Sequence, residues 1–160
     1  MSWSAYRRDE RNELGDEAMN IQEVLLPLFL QVILTFVLLF WLAPLRGRDF
    51  SSGVTRPEDV ALREPNWSQR SLQVSYSYSN QFELPVLFYV LTILAYFTRH
   101  AGILFVVLAW IFVIFRYLQA YVHVTNNQIR LRGAFFAVSA VALAIMWLIY
   151  IVQILTSPWV

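Results

Sequence analysis

The sequence predicts an all-α integral membrane protein, a four-helix up-and-down bundle. Its 160 residues are 58% hydrophobic and only 14% charged, far from the balance of an ordinary soluble domain. The apolar residues gather into four runs, Val24 to Pro44, Phe82 to Phe97, Ala101 to Val124 and Ala134 to Leu155. A bilayer core of about 30 Å needs about 20 helical residues, and the first, third and fourth runs reach that length unaided. Uncharged stretches such as Ile103 to Phe115 argue against a soluble bundle.

In chain order, a polar arm over 1–20 mixes Arg7, Arg8 and Arg11 with Asp9, Glu10, Glu13, Asp16 and Glu17. The first helix is predicted over about 22–44. It follows a polar segment and is longer than the apolar region of about 7–15 residues in a signal peptide, so it reads as a membrane span. A polar loop over 45–79 opens on Arg46-Gly47-Arg48-Asp49-Phe50-Ser51-Ser52-Gly53 and is punctuated by Pro57 and Pro65. Within it Val74, Tyr76 and Tyr78 alternate with Ser75, Ser77 and Ser79. Such alternation suggests a strand, but one strand has no partner here, so an interfacial segment with tyrosines at headgroup depth is expected. The second apolar run is short, which places the start of its helix near Ser79 or Asn80 and its extent at about 80–98. Thr98-Arg99-His100 makes a tight hairpin to a third helix over 101–128, and the fourth covers 133–156.

All basic residues are arginine, and cysteine is absent. That removes disulfides and thiol chemistry of the chain itself, and the arginine bias points to a GC-rich, bacterial source. Arg46, Arg48, Arg56, Arg63, Arg70, Arg130 and Arg132 fall in or beside two connections, against Arg7, Arg8, Arg11 and Arg99 opposite. The positive-inside rule puts the richer side in the cytoplasm. The expectation is a bacterial plasma membrane protein with both termini non-cytoplasmic.

Polar residues within such helices mark sites, because an ionisable group at membrane depth is costly unless paired or wet. Asn80 and Glu83 are three apart and share a helix face. Arg116, Gln119, His123, Asn127 and Arg130 follow one another at steps of three or four, one face of a continuous third helix. Tyr117 and Tyr121 form a neighbouring stripe. Glu83 is the natural counter-charge for Arg116, whether as part of a site or as an interhelical lock. His100 and His123 have no second ligand at metal spacing, so no metal is expected. Gln31 and Gln153 read as helix-to-helix hydrogen bonders.

Asn80-x-x-Glu83, with Pro85 opening the helix, resembles the Asn-x-x-Glu signature of the MAPEG family, the membrane-associated proteins in eicosanoid and glutathione metabolism. Arg116-Tyr117-Leu118-Gln119-Ala120-Tyr121 is similar to the Arg-Tyr-Phe-Gln-Gly-Tyr of one branch. In the Arg-x-x-His-x-x-x-Tyr register of another, Gln119 and His123 replace the His and Tyr. The resemblance covers roughly residues 20 to 155 and implies a homotrimer binding glutathione between subunits near the cytoplasmic face. It carries Asn80, Glu83, Arg116 and Tyr121 onto binding positions, with Tyr117, Gln119, His123, Asn127 and Arg70 as further candidate contacts. Arg130 or Arg132 would be the catalytic, thiolate-stabilising arginine; Arg130 is favoured because it continues the stripe. Tyr76 stands where glutathione-binding members carry arginine, and Pro85 lies closer to Glu83 than in better-known members. Two functions follow: a glutathione-dependent transferase or peroxidase acting on lipophilic electrophiles, or a non-catalytic lipid-binding scaffold.

Overall fold

A computed structural model describes residues 20–62 and 64–156. All but Asn20 of the predicted polar arm lies outside them. Five α-helices make four passages: α1 (Ile21–Ser51), α2 (Gln69–Ser79) continued by α3 (Leu84–Phe97), α4 (Ile103–Val124) and α5 (Ile129–Thr156). Each passage is long and apolar enough to cross a bilayer. Phe29, Ile33, Phe36 and Phe40 on α1 and Leu148, Val152 and Leu155 on α5 are exposed, a surface suited to lipid.

Three boundaries differ from expectation. The first helix runs past Pro44 to Ser51; Pro27 and Pro44 each remove one main-chain bond without ending it. The segment Gln69–Ser79, expected as part of the polar loop, is helix and not a strand. Ser71, Val74 and Ser77 are its buried residues, at helical spacing, so the alternation of serine and tyrosine hides a narrow face of small side chains. The third helix ends at Val124 and the fourth begins at Ile129, which moves their predicted connection towards the N-terminus without changing its length.

The second passage is broken in the middle. Residues Asn80–Phe82 form a 3-10 turn, Glu83 takes φ −101° and ψ −106°, and Pro85 sits in the first turn of α3. Pro85 has no N–H to give the carbonyl of Gln81, and with the 3-10 turn and the non-helical Glu83 before it the α-helical ladder is interrupted here.

Two apolar clusters fill the bundle. One joins Phe88, Leu91, Phe112, Val113, Leu143 and Met146, with the Phe88 and Phe112 rings stacked at 4.6 Å. The other joins Leu34, Leu38, Leu42, Val74, Ala120 and Val124. Polar groups lie between them: Gln31 donates to Gln81 Oε1 at 2.8 Å, and the Tyr117 hydroxyl donates to the Leu30 carbonyl at 2.7 Å. Gln31 is therefore the interhelical hydrogen bonder expected of it, whereas Gln153 is exposed on α5.

The loop between α1 and α2 is folded down by Asp49. Its Oδ2 accepts from Ser68 N (3.2 Å), Ser68 Oγ (2.9 Å) and Ser71 Oγ (2.5 Å), and the residue is 7% exposed. Ser68 also caps α2 by accepting from Ser71 N. Trp67 packs edge-on against Phe50 at 5.0 Å, with the Arg46 guanidinium 4.8 Å from its ring centroid. Arg70 donates to the Val124 carbonyl, among those a helix end leaves free, and its guanidinium lies 4.8 Å from the Trp41 ring. It thus ties α1, α2 and α4 together at the end where both arginine-rich connections lie.

Asp49→Ala should strand three donors and lower unfolding stability in detergent by about 2–3 kcal/mol. Ser71→Ala should cost less, and the double variant should cost less than the sum. A loss no larger than that of Glu58→Ala, an exposed loop substitution, would show that Asp49 does not hold the loop.

Candidate functional site

The break between α2 and α3 faces α4 and α5, and a cavity of about 380 Å3 opens there. Tyr76 and Asn80 line it from the end of α2 and the turn that follows, Gln119 and His123 from α4, and Arg132, Gly133 and Phe136 from α5. Its volume falls within the range of about 300–1,000 Å3 usual for small-molecule sites. A Cβ on Gly133 would meet nothing within 4 Å, so the glycine leaves room on the α5 side.

Arg116 stands in the wall behind this cavity. It is 0% exposed, and its Cζ lies 6.0 Å from the ring centroid of Phe136. Its Nη2 donates to the Asn80 carbonyl, while Nε and Nη1 have no partner. The broken passage supplies that acceptor: Asn80 caps α2, its N–H bonding the Tyr76 carbonyl, and opens the 3-10 turn. Along α4, Gln119 Oε1 and His123 Nδ1 are also buried without partners. Most buried polar atoms are paired, and unpaired ones cost about 1–3 kcal/mol each. Two of these four atoms belong to lining residues, Gln119 and His123, and two to Arg116 behind them.

Arg132 is fixed from below. Its Nη1 donates to Asn127 Oδ1 at 2.7 Å. Asn127 has φ +50°, the left-handed region that asparagine tolerates better than most residues, and its amide donates to the Val122 carbonyl at 2.8 Å. This turn ends α4 and resets the helical phase. Arg130 therefore does not continue the stripe from Arg116: it is exposed in the first turn of α5 and is not among the residues lining the cavity.

The other candidates divide clearly. Asn80, Gln119, His123 and Arg132 line the cavity, Arg116 backs it and Asn127 positions Arg132. The expected Glu83–Arg116 pair does not form within the chain; Glu83 is exposed and Arg116 bonds the Asn80 carbonyl instead. Backbone geometry explains this, since Glu83 lies beyond the 3-10 turn and leaves the face that Asn80 keeps. Tyr117 spends its hydroxyl on the Leu30 carbonyl, and Arg70 is committed to the Val124 carbonyl and Trp41. Tyr121 is 67% exposed and lies on another face of α4, in an apolar groove of about 430 Å3 with Leu30, Trp110 and Ile114. Sequence reasoning did not place Gly133 and Phe136 at the site; Tyr76 was noted only as standing in place of a family arginine, and it lines the cavity itself.

No three of the described His, Asp and Glu side chains gather as metal ligands, so the chain's own chemistry here is that of guanidinium, imidazole, amide and phenol. Compared with curated proteins and with solved structures, the chain has no significant match. The family model of the MAPEG family matches residues 24–152. That span contains the second and third passages, nearly all of α1 and α5 and every residue of the cavity, and the chain therefore belongs to the MAPEG family, as an integral membrane protein.

Proposed function

We propose that this chain is a glutathione-dependent membrane transferase or peroxidase that acts on lipophilic electrophiles. The supporting observation is the cavity of Tyr76, Asn80, Gln119, His123 and Arg132, backed by a buried guanidinium with two free nitrogens. Glutathione offers two carboxylates, amides and a thiol. Such groups suit this wall: the free nitrogens of Arg116 are donors for a carboxylate, and the amides of Asn80 and Gln119 can pair with peptide groups. Arg132 would stabilise the thiolate, since a guanidinium in a water-poor site favours the charged sulfur. The bound thiol supplies the nucleophile, and the membrane supplies the electrophile laterally.

The proposed assembly is a homotrimer, with the arginine-rich connections cytoplasmic. Glu83, exposed beside the apolar α3, would be costly against lipid and is better covered by a neighbouring subunit. Tyr121 is likewise exposed within one chain. Between subunits, both could reach a ligand held by the partner's cavity.

Arg132→Ala should cut conjugation of a chlorodinitrobenzene by about 100- to 1,000-fold, the usual cost of losing one preorganised electrostatic stabiliser. Arg130→Ala should leave the rate near that of the wild type, and glutathione affinity should change far less than rate in either variant. If the wild-type protein shows neither a thiolate absorbance with glutathione nor conjugation, the enzyme reading fails and a lipid-binding scaffold is the better account.

Native mass spectrometry in mild detergent should show three chains per particle. A single chain persisting at micromolar concentration would overturn the trimer.

A further inference from the structure

The geometry points to a second binding site, in a cavity beneath the loop between α1 and α2, for one membrane phospholipid whose headgroup carries both phosphate and ammonium. The site stands independently of the glutathione reading. It meets the polar cavity only at Tyr76, which lines both.

This second cavity measures about 710 Å3. Its roof is a folded structure. Thr55 Oγ1 donates to the Asn66 carbonyl at 2.7 Å, and Asn66 Nδ2 donates to the Asp59 carbonyl at 2.7 Å. Val60, Pro65 and Trp67 of this roof line the space below. A hydrogen-bonded roof over a volume that the chain leaves unfilled departs from ordinary interior packing.

Polarity is graded with depth. Arg46 lies just past the apolar run that ends at Pro44, which sets it near headgroup level. Leu42 and Leu39 line the cavity from the same helix, about 6 and about 10 Å deeper at the helical rise. On the returning passage Ser75 bonds Arg46, and Phe82 lines the cavity about 10 Å deeper. Water finds too few polar partners in that lower half, whereas an acyl chain enters it from the bilayer with no loss of hydration.

At headgroup level the lining carries one cation and one carboxylate, Arg46 and Glu64. The Arg46 guanidinium is held 4.8 Å from the centroid of Trp67. Of its five N–H groups, one bonds Ser75 Oγ at 3.0 Å, and that on Nε is enclosed without a partner. Those remaining on the terminal nitrogens can clamp a phosphate. Glu64 is set in the roof, its Oε2 accepting from Leu62 N at 2.9 Å. A phosphoglycerol head would bring uncompensated negative charge towards that carboxylate. A head with phosphate and ammonium meets an opposite charge at each end.

The test adds dioleoyl phosphatidylethanolamine or dioleoyl phosphatidylglycerol to delipidated protein in mild detergent and counts the lipids retained per chain by native mass spectrometry. One phosphatidylethanolamine per chain is expected, with clearly less phosphatidylglycerol at equal concentration. Arg46→Gln should lower phosphatidylethanolamine retention about tenfold, the worth of one charge-assisted contact. Glu64→Gln should remove the preference between the two lipids. Leu39→Trp, which fills the lower half from a partly exposed position, should lower retention of both. Retention unchanged in Arg46→Gln and Leu39→Trp would place the lipid around the bundle instead of in this cavity and overturn the site. Equal retention of the two lipids by the wild type would overturn it as well. If Arg46→Gln does not fold, Glu64→Gln and Leu39→Trp decide.

Discussion

The arrangement depends on a buried cation held by a broken helix. Arg116 is wholly enclosed, and taking a lone charge from water costs several kcal/mol even after relaxation. The second passage meets it where its helical ladder is interrupted. Pro85 and the 3-10 turn at Asn80–Phe82 interrupt that ladder and present the Asn80 carbonyl to the guanidinium. The same break places Asn80 at the cavity and leaves Glu83 outside its lining.

The remaining geometry is a matter of holding the elements around that break. Asp49 and its serines anchor the start of α2, and Arg70 joins α2 to the last carbonyl of α4 and to Trp41 on α1. Both contacts lie at the end of the bundle where the cavity lies. The apolar cluster around Phe88 and Phe112 forms the other half of the bundle. Around the site, polar fastening is thus added to the apolar cluster of Leu34, Leu38, Val74, Ala120 and Val124, whereas the other half rests on apolar packing, which is less directional.

Much of this was legible in the sequence. Three passages could be read from apolar length alone and the fourth by extending a short run upstream, since a bilayer leaves little choice, and Gln31, alone in an apolar helix, was correctly read as a bridge. The stripe of Arg116, Gln119 and His123 also lies on one face as spaced. Its continuation to Arg130 assumed an unbroken helix, and the left-handed turn at Asn127 cancels that assumption and favours Arg132. The α2 helix was obscured by serine–tyrosine alternation, whose period of two masks the spacing of Ser71, Val74 and Ser77. The Glu83 pairing failed for a related reason: three residues share a face only where the helix is regular.

The unpaired atoms of the cavity wall are hard to explain as structure. An apolar bundle could be built with leucine or methionine at positions 116, 119 and 123, and replacing buried charges with apolar groups of similar volume is often neutral or stabilising. Arg116 Nε and Nη1, Gln119 Oε1 and His123 Nδ1 instead remain without partners, on successive turns of one helix. Their cost of about 1–3 kcal/mol each is borne at one place, beside a space large enough for a small polar molecule. A wall of this kind is poorly suited to a scaffold that presents only an acyl chain, for which the apolar groove beside Trp110 would suffice. It suits a ligand whose own carboxylates, amides and thiol supply the missing partners.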